Sequence, residues 1–492
     1  MTNPFLDSMA NASTTANGGA TNASSLSACV DFFFQIGAMR GQDEEVIYSA
    51  FSAAFEQNPQ VALRTLFWAR DVREGAGERR SFRVCLTRLA QRRPDCFSDG
   101  VIYSIPLFGR WDDMLSLFDT PVETTALEVI SSALYNADGL CAKWMPREKS
   151  SKRIYAQRIR KFMGLSSSAY RKMLSGLTRV VESQMCAGDW DEINYSHVPS
   201  QAMRIYKKAF ERHSPEAWAT YMEGLVAGTE KVNAAAIHPH EILAPYIVGS
   251  PNSVSWGYGS NRGVDVGEIP HIVEYQWYSL PNWLMNNPNR ILPVVDTSGS
   301  MECAYNGGSV RPIDVSVSLG LYIAERNNGP FANHMITFSS RPKMQRIQGD
   351  NLRERLSSVC SAEWGQSTNI EATFEAILHH AKASGASQYD MPNMILILSD
   401  MEFNQCAQID ETAMQSIRRQ YEEVGFHLPK IVFWNLNAGK ENVPVRFDES
   451  GTALISGFSP SIMKSLMEEG EITPEGVMLN TVMADRYSTI EG

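Results

Sequence analysis

The sequence predicts a two-part fold, an array of paired helices followed by a doubly wound α/β domain. Three observations carry the prediction. From Leu26 to Phe210, apolar residues recur at helical spacing in segments that start about every 15–25 residues. From Ile291 onward, short apolar runs alternate with amphipathic helical stretches, the pattern of a parallel sheet wound by helices. Between them, residues 249–290 shift to Gly, Asn, Pro and aromatics, which mark a linker or interdomain cover.

Length and composition suit that reading. The chain has 492 residues, 43% hydrophobic and 20% charged, enough to bury large cores. No apolar run approaches the roughly 20 residues that a membrane span needs. Residues 1–25 are rich in Ala, Asn, Ser and Thr and hold no Lys or Arg, so they predict a disordered tail and not a secretory signal. The expected organisation is then a helical-repeat domain over 26–248, the linker over 249–290, the α/β domain over 291–468, and an acidic, loosely held tail over 469–492. Eight cysteines lie far apart without a Cys-x-x-Cys pair, which predicts buried thiols of a reducing compartment and a cytoplasmic protein. The net charge of −11 argues against a protein that coats nucleic acid throughout. Lys and Arg nevertheless outnumber Asp and Glu between Val61 and His213, so any polyanion is expected on the first half.

Taken in order, helical spacing covers Leu26–Gly41 and Glu44–Gln57, with Asp43 as an N-cap. Pro59 opens a helix that runs to a turn marked by Gly75 and Gly77, and a second helix spans Arg80–Arg92 before Pro94. Asp112 is read as the cap of the next helix start, after Gly109-Arg110-Trp111. Helix pairs of this length suit a stacked, HEAT-like array, although no exact repeat shows. In the second half, strands are expected at Ile291–Asp296, His334–Ser339, Met394–Asp400, Lys430–Leu436 and Thr452–Gly457. Helices are expected at Ile313–Arg326, Ile370–Ala383, Glu411–Val424 and Pro460–Met467.

One stretch carries the chemistry. Ile291-Leu-Pro-Val-Val-Asp296 ends a buried strand on an acid, and Ser298 and Ser300 follow on a tight turn. Thr368 lies in Trp364-Gly-Gln-Ser-Thr-Asn369, just before a helix, and Asp400 ends another apolar strand. Carboxyl ends of strands are where open α/β sheets place ligands. Two carboxylates and three hydroxyls are what Mg²⁺ takes, with oxygen donors at about 2.0–2.1 Å. Asp-x-Ser-x-Ser with a later Thr and Asp resembles the metal-ion-dependent adhesion site of von Willebrand factor A domains. The resemblance implies a ligand set of Asp296, Ser298, Ser300, Thr368 and Asp400 for Mg²⁺, with Mn²⁺ or Ca²⁺ as alternatives. Many such domains follow the last Asp with Gly, where this chain has Met401.

Further motifs widen the resemblance. Arg70-Asp71, Gly75-Ala-Gly77-Glu78-Arg79, Gly109-Arg-Trp111-Asp-Asp, Lys143-Trp144-Met-Pro146-Arg147-Glu148, Asp189-Trp190, Val198-Pro199-Ser200 and His238-Pro239-His240-Glu241 stand in order along the chain. Together they resemble a family of plants, fungi, bacteria and viruses that joins a Ro-autoantigen (TROVE)-like helical region to a von Willebrand factor A domain. Ro-type proteins bind structured and misfolded RNAs, which implies RNA as one partner. The residues expected to meet phosphates are Arg79, Arg80, Lys143, Arg147, Lys149, Lys152, Arg153, Arg158, Arg160 and Lys161.

Other chemistry is weaker. His379 and His380 face about 100° apart on a helix and cannot easily share a metal. His238 and His240 read as a turn and helix cap. Ser298 lacks a nucleophile elbow and a placed His, and no phosphate-binding Gly-Lys-Ser/Thr loop occurs. Glu302 and Glu402 flank the ligand segments, leaving a metal-dependent nuclease as a remote alternative. The leading expectation is a non-enzymatic protein whose Mg²⁺ captures an acidic residue of a protein partner. Its rival is a Ro-like RNA-binding protein with a structural or vestigial metal site.

Overall fold

Side-chain caps set several helix starts of the N-terminal half, those at Ser27, Asn58, Ser98, Asp138 and Ser166. The structure, a computed structural model, describes residues 11–178, 180–234, 237–248, 265–302, 310–338, 342–361, 368–404, 413–437, 442–466 and 472–491. A hairpin of β1 (Ala12–Thr14) and β2 (Ala20–Asn22) comes first. Ser27 then accepts the N–H of Val30 to open α1 (Ala28–Ile36), whose three phenylalanines are all buried. α2 (Glu44–Gln57) follows Asp43, which occupies the cap position without a side-chain bond. Asn58 caps α3 (Pro59–Arg70), with Pro59 at its first position, where a missing N–H costs nothing. α4 (Arg80–Arg92) and α5 (Asp99–Phe108) pack behind it. The next turn is a 3₁₀ helix over Trp111–Leu117 that starts after Arg110, not at Asp112. Asp112 does not cap because its carboxylate pairs with Arg83 at 2.8 Å and Arg110 at 3.0 Å.

The helices continue through α6 (Glu123–Tyr135), α7 (Gly139–Trp144), α8 (Arg153–Phe162), α9 (Ser167–Leu177), α10 (Val181–Ala187), α11 (Ser200–His213), α12 (Pro215–Ala227) and α13 (Pro239–Leu243). Two short strands, β3 (Ile247–Val248) and β4 (Asp265–Val266), pair antiparallel on either side of residues 249–264. The linker's Trp256 stretch lies among those residues, outside the described ones. α14 (His271–Tyr278) carries Trp277, which is fully buried and donates to Glu325 at 2.7 Å. That aromatic staples the linker to the second half.

The second half is a six-stranded sheet. It is built from β5 (Ile291–Val295), α15 (Pro312–Arg326), β6 (His334–Thr337), β7 (Met344–Arg346), α16 (Leu352–Cys360), α17 (Ile370–Ser384), β8 (Met394–Ser399), α18 (Ala413–Val424), β9 (Lys430–Asn435), β10 (Thr452–Ser456) and α19 (Pro474–Val482). Strand order is β7-β6-β5-β8-β9-β10, all parallel except β7. Every residue of β5, β8 and β10 is buried, as expected of strands covered on both faces. β7 has no buried residue and only three positions, so it carried no apolar signal.

Both chain ends correct the expected organisation. Residues 11–25 are not a disordered tail: Asn22 pairs with Val443 through N–H···O bonds of 3.1 and 3.0 Å, and Thr15, Thr21 and Ser25 are buried. Polar side chains that satisfy backbone groups, and not apolar ones, hold this segment. Nor are residues 472–491 loosely held. α19 packs on β10 and on α1 and α3 of the first half, and Tyr487 and Ile490 beyond it are buried. Arg486 there pairs with buried Asp71 at 2.5 Å. The expected boundaries therefore cut through one shared core.

Candidate functional site

In the strand order of the sheet, the chain leaves β5 toward β6 on one side and returns at β8 on the other. The crevice beyond the carboxyl ends of two such strands is the usual ligand position of an open sheet. Asp296 and Asp400 are the first residues past β5 and β8. Both are buried. Asp296 Oδ1 accepts the N–H of Ser298 at 2.9 Å and its Oδ2 accepts the hydroxyl of Ser399 at 2.5 Å. Ser298 and Ser300 stand with hydroxyls 3.1 Å apart, and Ser300 is exposed, opening the cluster to solvent. Thr368 is fully buried, yet its hydroxyl has no hydrogen-bond partner among the described residues. Its backbone carbonyl accepts from Asn404 at 3.0 Å, which ties it to the loop that follows Asp400.

Burial raises both carboxyls. Asp400 is pushed up to about 7, first by desolvation and then by the charge of Asp296. Asp296 is raised by desolvation against the bonds from Ser399 and Ser298. Two carboxyls in one crevice, an orphaned hydroxyl and an open side are a donor set for a small hard cation. Among the described residues, no group of three or more His, Cys, Asp or Glu converges on a metal position. Any cation here must draw on hydroxyls. Glu402, read from sequence as a flanking carboxylate, accepts from the backbone of Ala16 at 2.6 Å and from Asn442 at 3.0 Å.

A second feature was not foreseen. A cavity of about 610 Å³ is lined by Arg40, Arg70, Arg79, Arg80, Arg110 and Arg204, with Glu78, Glu241, His238 and His240. Of the ten cations expected to meet phosphates, Arg79 and Arg80 line it and the other eight do not. Arg158 pairs with Asp119 and Glu123, and Arg160 with Glu148. Arg147 donates to Thr178. Lys143 sits 5.4 Å from the Trp144 ring centroid. Lys149, Lys152, Arg153 and Lys161 are exposed. His238 caps α13, as expected, through a reciprocal bond with Glu241.

The molecule is thus a helical region joined to an α/β domain with a carboxylate–hydroxyl cluster at the switch point of its sheet. The chain belongs to the family described as "Domain of unknown function (DUF2828)", which matches residues 15–99 and 104–287. A second description, "Domain of unknown function (DUF7788)", matches residues 290–488. An uncharacterised protein of Acanthamoeba polyphaga mimivirus is 29% identical over 530 residues, covering 96% of this chain and 88% of that one. Among solved structures, the Ro (RSR) protein of Deinococcus radiodurans is similar over 90% of this chain and 92% of that one, at a TM-score of 0.31 and 14% identity. A similarity at that level does not define a shared site.

Proposed function

We propose that this chain is a metal-dependent protein-binding protein whose second half is a von Willebrand factor A-like domain. One observation carries the reading: Asp296 and Asp400 directly follow the two adjacent strands at the switch point, and the buried Thr368 hydroxyl has no partner among the described residues. Asp296 and Asp400 would hold Mg²⁺ with the hydroxyls of Ser298, Ser300 and Thr368. A bound Mg²⁺ supplies an open position for one further oxygen, here an Asp or Glu of a partner. Asp296 is held by Ser298 and Ser399 and cannot swing away. Catalysis is no part of the reading, since the Glu402 carboxylate is engaged by Ala16 and Asn442.

Calorimetric titration of the full chain with Mg²⁺ and Mn²⁺ tests the site. Saturable binding is expected, and its loss in Asp296→Ala. Capture is tested with immobilised peptide pools that carry one fixed Asp or one fixed Asn at the centre. Retention on the Asp pool alone, removed by EDTA, is expected; equal retention on both pools sinks the reading.

RNA is a second reading. Exposed Lys149, Lys152, Arg153 and Lys161 have no carboxylate within ion-pair distance among the described residues. Filter binding of the full chain to structured RNA should then weaken steeply with salt. Retention unchanged by reversing these four charges removes it.

A further inference from the structure

The cavity of about 610 Å³ is walled by the helical half, with Val310 the one lining residue from the α/β half among those described. The Arg40 guanidinium stacks 3.8 Å from the Phe458 ring centroid, and His240 meets the same ring edge-on at 5.1 Å. Its walls come from distant parts of the chain: Arg40, the Gly77–Arg80 turn, Arg110, Gln201 and Arg204 of α11, and the His238–Glu241 turn. Gly77 has a φ of 71°, and a Cβ there would lie 2.9 Å from His238 Nε2, so glycine keeps this wall open.

The charge of the walls is not balanced. Six arginines face two glutamates, and both glutamates are already committed. Glu78 pairs with Arg40. Glu241 accepts from Gln201 at 2.9 Å with one oxygen and from the His238 backbone at 2.9 Å with the other. Behind the walls, Asp113 holds Arg70 at 2.8 Å, and Asp112 holds Arg110 at 3.0 Å. Arg79, Arg80 and Arg204 have no carboxylate within ion-pair distance among the described residues. Arg80 donates to the Gln42 carbonyl at 2.5 Å, and Arg204 to the Gln201 side chain at 3.0 Å. Two buried nitrogens, Arg40 Nε and His240 Nδ1, lack any partner among the described residues. Burial and the charge of Arg40 hold both His238 and His240 below the usual imidazole range, so they face the cavity neutral.

We infer that this cavity is a binding site for a phosphorylated small molecule of nucleotide size or less. The site is independent of the cation cluster. Arginine forks match the paired oxygens of a phosphate, and several together select a dianion over a single carboxylate. The volume falls within the range of about 300–1,000 Å³ that small ligands occupy. Because the walls come from separate turns and helices of the helical half, a bound phosphate ties the Gly77–Arg80 turn to α11 and the His238–Glu241 turn.

The test uses the full chain, with inorganic phosphate and adenosine 5′-monophosphate as probes and adenosine as the phosphate-free control. Calorimetry should show saturable binding of at least one phosphate probe and none of adenosine, with a matching rise in melting temperature. Arg204→Gln and Arg79→Gln, both at exposed positions, should each weaken binding about tenfold. Lys161→Gln, outside the cavity, should leave it unchanged. A 5′-phosphorylated oligoribonucleotide and its 5′-hydroxyl counterpart form the last arm. Tighter binding of the phosphorylated form, lost in Arg204→Gln, supports the same site. Binding of the oligonucleotides alone, with or without the phosphate, overturns the proposal in favour of a polynucleotide surface. So does binding of either small probe that both substitutions leave intact.

Discussion

Met401, directly after Asp400, holds a left-handed backbone with φ 65° although it is not glycine. Its side chain is buried, which offsets the strain. Burial thus lets a residue other than glycine hold this turn. Met401→Ala loses the packing and keeps the strain, whereas Met401→Gly loses the packing and relieves it. The glycine variant should be the more stable of the two by about 1 kcal/mol, read from urea midpoints. The reverse order would mean that the turn is not strained. Asp400 itself makes stability depend on pH. Its folded value of about 7 lies above its unfolded one, so its contribution is present in acid and lost as pH rises through 7. With EDTA, the urea midpoint should fall between about pH 4 and pH 7, by an amount on the order of a few kcal/mol in stability. Mg²⁺ should flatten that fall, and Asp400→Asn should reduce it, leaving the smaller contribution of Asp296. A flat profile for the wild type in EDTA counts against two buried carboxyls in one crevice.

At the scale of elements, the turn between α3 and α4 bears the most constraint. A Cβ on Gly75 would lie 1.9 Å from the Trp68 carbonyl, a backbone atom that cannot give way alone. Three backbone bonds lock the turn: Ala76 to Trp68 at 3.2 Å, Gly77 to Asp71 at 3.2 Å and Glu78 to Ala69 at 2.7 Å. Gly75→Ala should therefore cost about 2–4 kcal/mol, seen as a lower urea midpoint. Because this turn also presents Arg79 and Arg80, the same variant should weaken binding of inorganic phosphate. Arg70 and Asp71, adjacent at the end of α3, point their charges to different partners. Arg70 reaches Asp113 at 2.8 Å, which also takes Arg83 at 2.6 Å. Asp71 reaches the C-terminal segment. These adjacent charges, with Asp113, form a buried network.

Across the whole molecule, the two chain ends cross over to the opposite halves. The β1–β2 hairpin bonds to Phe403 and Val443 of the α/β half. The last residues clamp the helical half through Arg486 on Asp71 and through the Ile490 carbonyl, which accepts from Arg64 at 3.3 Å. Neither half should fold alone as cut at residue 248. Removing residues 472–492 exposes the surface beneath Tyr487 and Ile490, worth about 1.5–3 kcal/mol per side chain, and strands the fully buried Asp71. Arg486→Ala alone should cost about 2–3 kcal/mol, below the 3–5 of a fully buried pair because Arg486 is partly exposed. A truncated chain that unfolds at the wild-type midpoint contradicts this account.

What the sequence determined by itself is local. Apolar runs placed β5, β6, β8, β9 and β10 to within two residues, and caps and prolines placed α2, α3 and α4. Periodicity marked Asp296 and Asp400 as the ends of buried strands, whereas the full set with Ser298, Ser300 and Thr368 was named through the resemblance to an adhesion-site pattern. The short edge strand β7 and α16 went unread, the first because three residues, none of them buried, carry no period. Only the tertiary structure decided the rest. It set Asp296 beside Asp400, tied Glu402 to a segment that composition had marked as disordered, and gathered arginines from residues 40 to 204 around one cavity. The physical reason is the range of the forces. Helix and strand signals are written in neighbours a few residues apart, whereas a lone arginine reads as surface until packing shows which charges lie near it and which carboxylates are already taken.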